Sequence, residues 1–106
     1  MSLFGGSDKG DDEKISVVAQ IRAKSGKEDE VRSALEKLVG PSQKEPGCLK
    51  YNVFEDKHYT GSFFTYEEWA SEAALDTHLA VNKAALDKAK SLLQDDMRIS
   101  VLKLSA

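Results

Sequence analysis

The sequence predicts an α+β domain with the element order βαββαβ, and three observations carry that prediction. A stretch of strict period-two alternation opens the patterned part of the chain at Ile15. Two segments with helical spacing of apolar residues follow, one behind Ser25 and one behind Ser71. Three further short runs rich in aromatic and β-branched residues lie between and after them, bounded by turn residues.

Each element has its own warrant. Ile15, Val17, Ala19, Ile21 and Ala23 alternate with Ser16, Val18, Gln20 and Arg22, the pattern of a half-buried strand. Ser25-Gly26-Lys27-Glu28 has the form of a capping box, and Val31, Ala34, Leu35, Leu38 and Val39 then recur on one helical face until Gly40-Pro41 signals a stop. Glu45-Pro46-Gly47 is turn chemistry. Cys48 to Glu55 reads as the second strand, with Leu49, Tyr51 and Val53 on one face and Lys50, Asn52 and Phe54 on the other. Asp56 to Gly61 makes a polar hairpin loop. Ser62 to Trp69 is the third strand, with Phe64 and Tyr66 opposite Phe63, Thr65, Glu67 and Trp69. Ser71 caps a second helix whose stripe runs through Leu75, Leu79, Leu86, Ala89 and Leu93, with a break near Val81-Asn82. Arg98 to Leu104 closes the domain as a fourth strand.

Four antiparallel strands with two helices on one face form the ferredoxin-like arrangement. Two helices cover one face of such a sheet, yet the strands carry large apolar groups on both. The pattern places Phe64, Tyr66, Ile99 and Val101 on one side and Val18, Phe54, Phe63, Trp69, Leu102 and Leu104 on the other. Six such side chains exposed together make a patch of several hundred Å², at the limit of what a monomer tolerates. A second copy of the chain, packed sheet to sheet, is the expected cover, so a homodimer is expected.

Composition excludes some classes of function. The chain has 106 residues, a charged fraction of 31% and a formal net charge of -3, with both signs interspersed, so the concentrated basic footprint of a nucleic-acid binder is missing. No apolar run approaches a membrane span, and the N-terminus lacks a leader pattern, so a cytoplasmic protein without membrane contact is expected. Residues 1–14, rich in glycine, serine and charge, read as a disordered tail ahead of a single domain over 15–106. Cys48 is the only cysteine, which rules out an intramolecular disulfide and reads as a packing thiol. His58 and His78 belong to no metal-ligand spacing, so no metal is expected.

Three motifs in order, Pro46-Gly47-Cys48-Leu49-x-Tyr51, Glu67-x-Trp69 and Ala74-Leu75-x-x-His78, resemble the antibiotic biosynthesis monooxygenase domain family, and the likeness spans Ile15 to Leu104. That resemblance implies a dimeric α/β barrel and a quinol-type monooxygenase that needs no cofactor, acting on a quinol or polyketide-like aromatic molecule with O2. It implies no haem role either, since Lys88 stands where haem-degrading relatives carry their axial histidine. A second histidine common in the family is replaced by the run Val81-Asn82-Lys83-Ala84.

Without flavin or metal, such chemistry runs through the substrate, which is deprotonated to an anion able to reduce oxygen. His78 is the candidate base, Asn52 the candidate donor to the developing oxyanion, and Trp69 the ring on which the substrate stacks. Phe63, Thr65 and Glu67 are expected to line the same space, with Gln20 and Arg98 at its edge. Each of these residues also has a packing role, and two other functions fit the residues. One is a non-catalytic or stress-responsive ligand-binding barrel. The other is an isomerase or signal-molecule-processing enzyme with a polar cavity.

Overall fold

The computed structural model describes residues 13–106, so the expected tail lies outside the described residues except for its last two positions. The elements are β1 (Ile15–Arg22), α1 (Glu28–Gln43), β2 (Cys48–Glu55), β3 (Ser62–Trp69), α2 (Glu72–Val81), α3 (Lys83–Ala89), a 3-10 turn over Lys90–Leu92, and β4 (Arg98–Leu102). The strands form one sheet in the order β2-β3-β1-β4, every neighbouring pair antiparallel, which is the ferredoxin-like topology expected.

Strand register decides what faces the helices. Val17 pairs with Glu67 on β3 and with Val101 on β4, so these three side chains share a face. Directly paired residues of an antiparallel sheet point the same way. Along β1 and β3 every second residue is buried, from Ile15 to Ile21 and from Phe63 to Trp69. Ala19, Ile21, Val31, Leu35, Phe63 and Leu93 make one half of the core, and Ile15, Val17, Tyr51, Trp69 and Leu75 the other.

That register corrects the assignment of faces. Phe63 and Trp69, expected on the open face, lie under the helices, and Ile99 and Val101 share their side. The open face carries Val18, Phe54, Phe64, Tyr66 and Leu102, all only partly shielded within one chain. Aromatic residues on both faces of β3, Phe63 and Trp69 on one and Phe64 and Tyr66 on the other, leave the alternation without a sign. The pairing with β1 supplies it.

β4 ends at Leu102 rather than Leu104, and three other features differ from expectation for local reasons. Ser25 caps nothing. Lys27 occupies the N-cap without a side-chain bond, and Glu28 Oε1 instead accepts from Gly26 N at 2.9 Å across a turn in which Gly26 has φ +86°. Glu28, Asp29 and Glu30 set negative charge against the free N–H groups of the first turn. The helix also runs through Gly40-Pro41 to Gln43. Proline disfavours a helical predecessor by striking its Cβ, and Gly40 has none. On β2 the register shifts between Cys48 and Lys50, so Leu49 bulges outward at 56% exposure while Cys48 packs near Trp69. Ser71 does cap α2, accepting from Ala74 N at 3.1 Å, and the break at Asn82 is present. No helix among the described residues is long and apolar enough to cross a membrane.

Candidate functional site

Between the sheet and α2 lies a buried polar cluster inside an apolar shell. Its base is β3, where Thr65, Glu67 and Trp69 stand at alternate positions and therefore on one face. Thr65 Oγ1 donates to Glu67 Oε2 at 2.8 Å, and Trp69 Nε1 donates to Glu67 Oε1 at 2.9 Å. Glu67 is 5% exposed and both its oxygens are engaged, as a buried carboxylate requires.

Above this ladder sits His78 of α2, 4% exposed. Its ring centroid lies 4.7 Å from that of Trp69 and 5.3 Å from that of Tyr51. Its Nδ1 is 2.7 Å from Glu45 Oε1. Asn82 Nδ2 donates to Glu45 Oε2 at 3.1 Å and to the His78 carbonyl at 2.8 Å. A carboxylate on Nδ1 fixes the proton there and leaves Nε2 as the ring nitrogen with a lone pair, the tautomer a base needs.

Glu45 reaches His78 because the turn after α1 packs unusually close to α2. Gly47 has φ +80°, and a Cβ on it would stand 2.6 Å from Ala74 Cβ. Gly47 O accepts from Ala70 N at 2.8 Å, and Glu45 O accepts from Cys48 N at 3.0 Å, which ties the turn to the end of β3 and the start of β2. The Pro-Gly step is thus part of the site's construction.

Tyr51 lines the same chamber. Burial, and next the nearby Glu67 charge, push its phenol well above its ordinary value, so it stays a neutral O–H donor. Burial and then the Glu45 and Glu67 charges also push the Cys48 thiol up, in keeping with a packing role. Leu38, Leu75, Leu79, Leu86, Met97 and Ile99 complete an apolar wall around a void of about 30 Å³. Among the described residues, no group of three or more His, Cys, Asp or Glu is arranged to hold a metal ion.

The eight residues singled out in the sequence fall into two sets. His78, Thr65 and Glu67 line the chamber and Trp69 packs fully buried against His78 and Glu67, while Phe63, on the same face, packs in the other half of the core. Asn52, Gln20 and Arg98 lie on the opposite, open face: Asn52 pairs with Tyr66, and Gln20 with Phe64 and Arg98. The sheet separates them from His78. Glu45, Tyr51 and Asn82 take the places beside the histidine. Asn82 was legible as the residue one helical turn past His78. Glu45 sits 33 positions from it and carried no signal of its own beyond the turn.

Comparison with known proteins identifies the family and the fold. The family model described as antibiotic biosynthesis monooxygenase matches residues 14–84. The protein sll1783 of Synechocystis is 32% identical over 99 residues, covering 92% of this chain and 67% of that protein. YcnE of Bacillus subtilis is 31% identical over 93 residues, covering 86% of this chain and 98% of its own length. The crystal structure of PA3566 from Pseudomonas aeruginosa superposes with a TM-score of 0.81 at 28% identity, over 89% of this chain and 96% of that one.

Proposed function

The chain belongs to the antibiotic biosynthesis monooxygenase family, and from that membership we propose that it is a cofactor-independent monooxygenase that oxidises a quinol-type aromatic molecule with O2. The observation that carries the reading is His78, buried against Trp69 with Nδ1 held 2.7 Å from Glu45 Oε1.

In this reading His78 Nε2 takes the proton of a phenolic hydroxyl, and the imidazolium formed is stabilised by Glu45. The aryl anion passes an electron to O2, and the resulting radical and superoxide couple at a ring carbon. His78 returns its proton to the peroxide. Loss of water between the C–H and the O–OH then leaves a carbonyl, so hydroquinone and O2 give hydroxyquinone and H2O. Tyr51, kept protonated, donates to the anion in the place expected of Asn52. Trp69, in place of the stacking platform expected of it, supports the base, with its N–H on Glu67 and its ring centroid 4.7 Å from that of His78. The apolar wall keeps water from the peroxide. Asn52, Gln20 and Arg98 have no part in this step.

The open face belongs to the same proposal as a dimer surface. Val18, Phe54, Phe64, Tyr66 and Leu102 form an apolar field suited to a second copy.

An oxygen electrode tests the chemistry with a panel of hydroquinones. Uptake above the uncatalysed rate is expected, with His78→Ala lowering kcat at least about 100-fold, in line with general base catalysis. Wild-type protein that consumes no oxygen with any of them overturns the reading in favour of a binding protein.

A further inference from the structure

An open groove of about 810 Å³ runs outside the chamber, between α2, α3 and the edge strand β4. Leu79, Leu86, Met97 and Ile99 line both the groove and the chamber, so these four side chains are a partition between the two spaces. The chamber void, about 30 Å³, has room for a water or two and not for an aromatic ring. A ring beside His78 therefore has to part this wall and extend beyond it. The wall is built for that. The short helix α3 buries no residue, and Met97 is unbranched and adaptable.

The charges narrow the ligand further. Among the described residues, no Lys or Arg lines the chamber. On the groove, Asp76, Asp87 and Asp96 outnumber Lys83 and Lys90, and both lysines are paired with Asp87, at 2.5 and 3.3 Å. An acid group on the ligand meets the Glu67 carboxylate inside and an excess of aspartates outside.

We infer that the ligand is an elongated, uncharged hydroxyarene whose ring lies at His78 and whose apolar extension, an alkyl or prenyl chain, lies over the partition in the groove. The position of the ring rests on the function proposed above; the groove supplies the chain.

The test is a titration of Trp69 fluorescence under nitrogen with hydroquinone and 2-alkylhydroquinones from methyl to octyl, kept below micelle-forming concentrations. Affinity is expected to rise up to about fourfold per methylene buried, then level off where the groove ends. An ω-carboxylated octyl analogue is expected to lose most of that gain. Ala80 lines the groove and not the chamber, so Ala80→Phe should flatten the series while leaving the methyl compound within about twofold. Ile99→Thr at an exposed position should lower the slope without adding bulk, which guards against a misfolded first variant. A wild-type series with no dependence on chain length overturns the inference, whatever hydroquinone itself does in the oxygen electrode. A steep series with no oxygen uptake in air keeps the groove and removes the oxygenase reading.

Discussion

Replacing Gly47 by alanine is the sharpest probe of how the site is built. The methyl group would stand 2.6 Å from Ala74 Cβ, closer than two carbon atoms approach, in a backbone at φ +80°. The left-handed conformation costs an L-residue roughly 1 kcal/mol, and forcing an extra methyl into a packed contact costs about 1 to 3 kcal/mol. Together they amount to about 2 to 4 kcal/mol. A domain of this length unfolds with an entropy near 0.2 kcal/mol/K, so the melting temperature should fall by about 10 to 20 °C. Gly26→Ala is the control, because Gly26 has φ +86° but nothing within 4 Å of the added carbon; it should lose only the backbone part, about 5 °C. Thermal melts followed by circular dichroism measure both. Equal losses in the two variants would refute the claim that Gly47 is there to let the turn touch α2. A Gly47→Ala protein that melts with the wild type would refute it outright.

Acid stability should depend on Glu55, whose carboxyl is lowered from 4.5 to about 2 by its hydrogen bonds from Arg32 and, next, from Gly61 N–H. A folded-state value below the unfolded one means that the contribution is present above about pH 4.5 and fades as pH falls toward 2. The urea midpoint of the wild type should therefore drop more steeply between pH 5 and 2 than that of Glu55→Gln; parallel curves would show that the pair adds nothing. For the dimer, light scattering at micromolar concentration should give twice the 11.7 kDa chain mass, and Phe54→Glu on the open face should give the single-chain mass with an unchanged melting profile at low concentration. A wild type that scatters as one chain defeats the proposed interface.

Much of the fold is legible because strands and helices announce themselves by period. β1 alternates cleanly, α1 carries five apolar residues on one face, and Ser71 marks the start of α2. What period cannot supply is which way a strand with large groups on both faces will turn. Phe63 and Phe64 compete for the core in β3, and the polar Thr65 and Glu67 pull the reading outward, though they are buried by mutual hydrogen bonds. The site suffered most from this. His78 and Trp69 are recognisable as a pair, but reading β3 inverted sets Thr65, Glu67 and Trp69 on the open face beside Asn52, Gln20 and Arg98, which do lie there, and so joins two groups that the sheet separates. Glu45 was hidden because its meeting with His78 depends on a turn-to-helix contact, not on any spacing along the chain.

The Thr65–Glu67–Trp69 ladder has one more consequence. All three members belong to a strand flanked on both sides, so the acid and its two donors are set by backbone pairing alone, whereas His78 and Asn82 arrive on a helix. The sheet works as a fixed anvil and the helix as the interchangeable tool. Variation confined to α2 and α3 can retune reactivity without touching the framework, while a one-residue slip of β3 would turn the whole ladder to the outside at once.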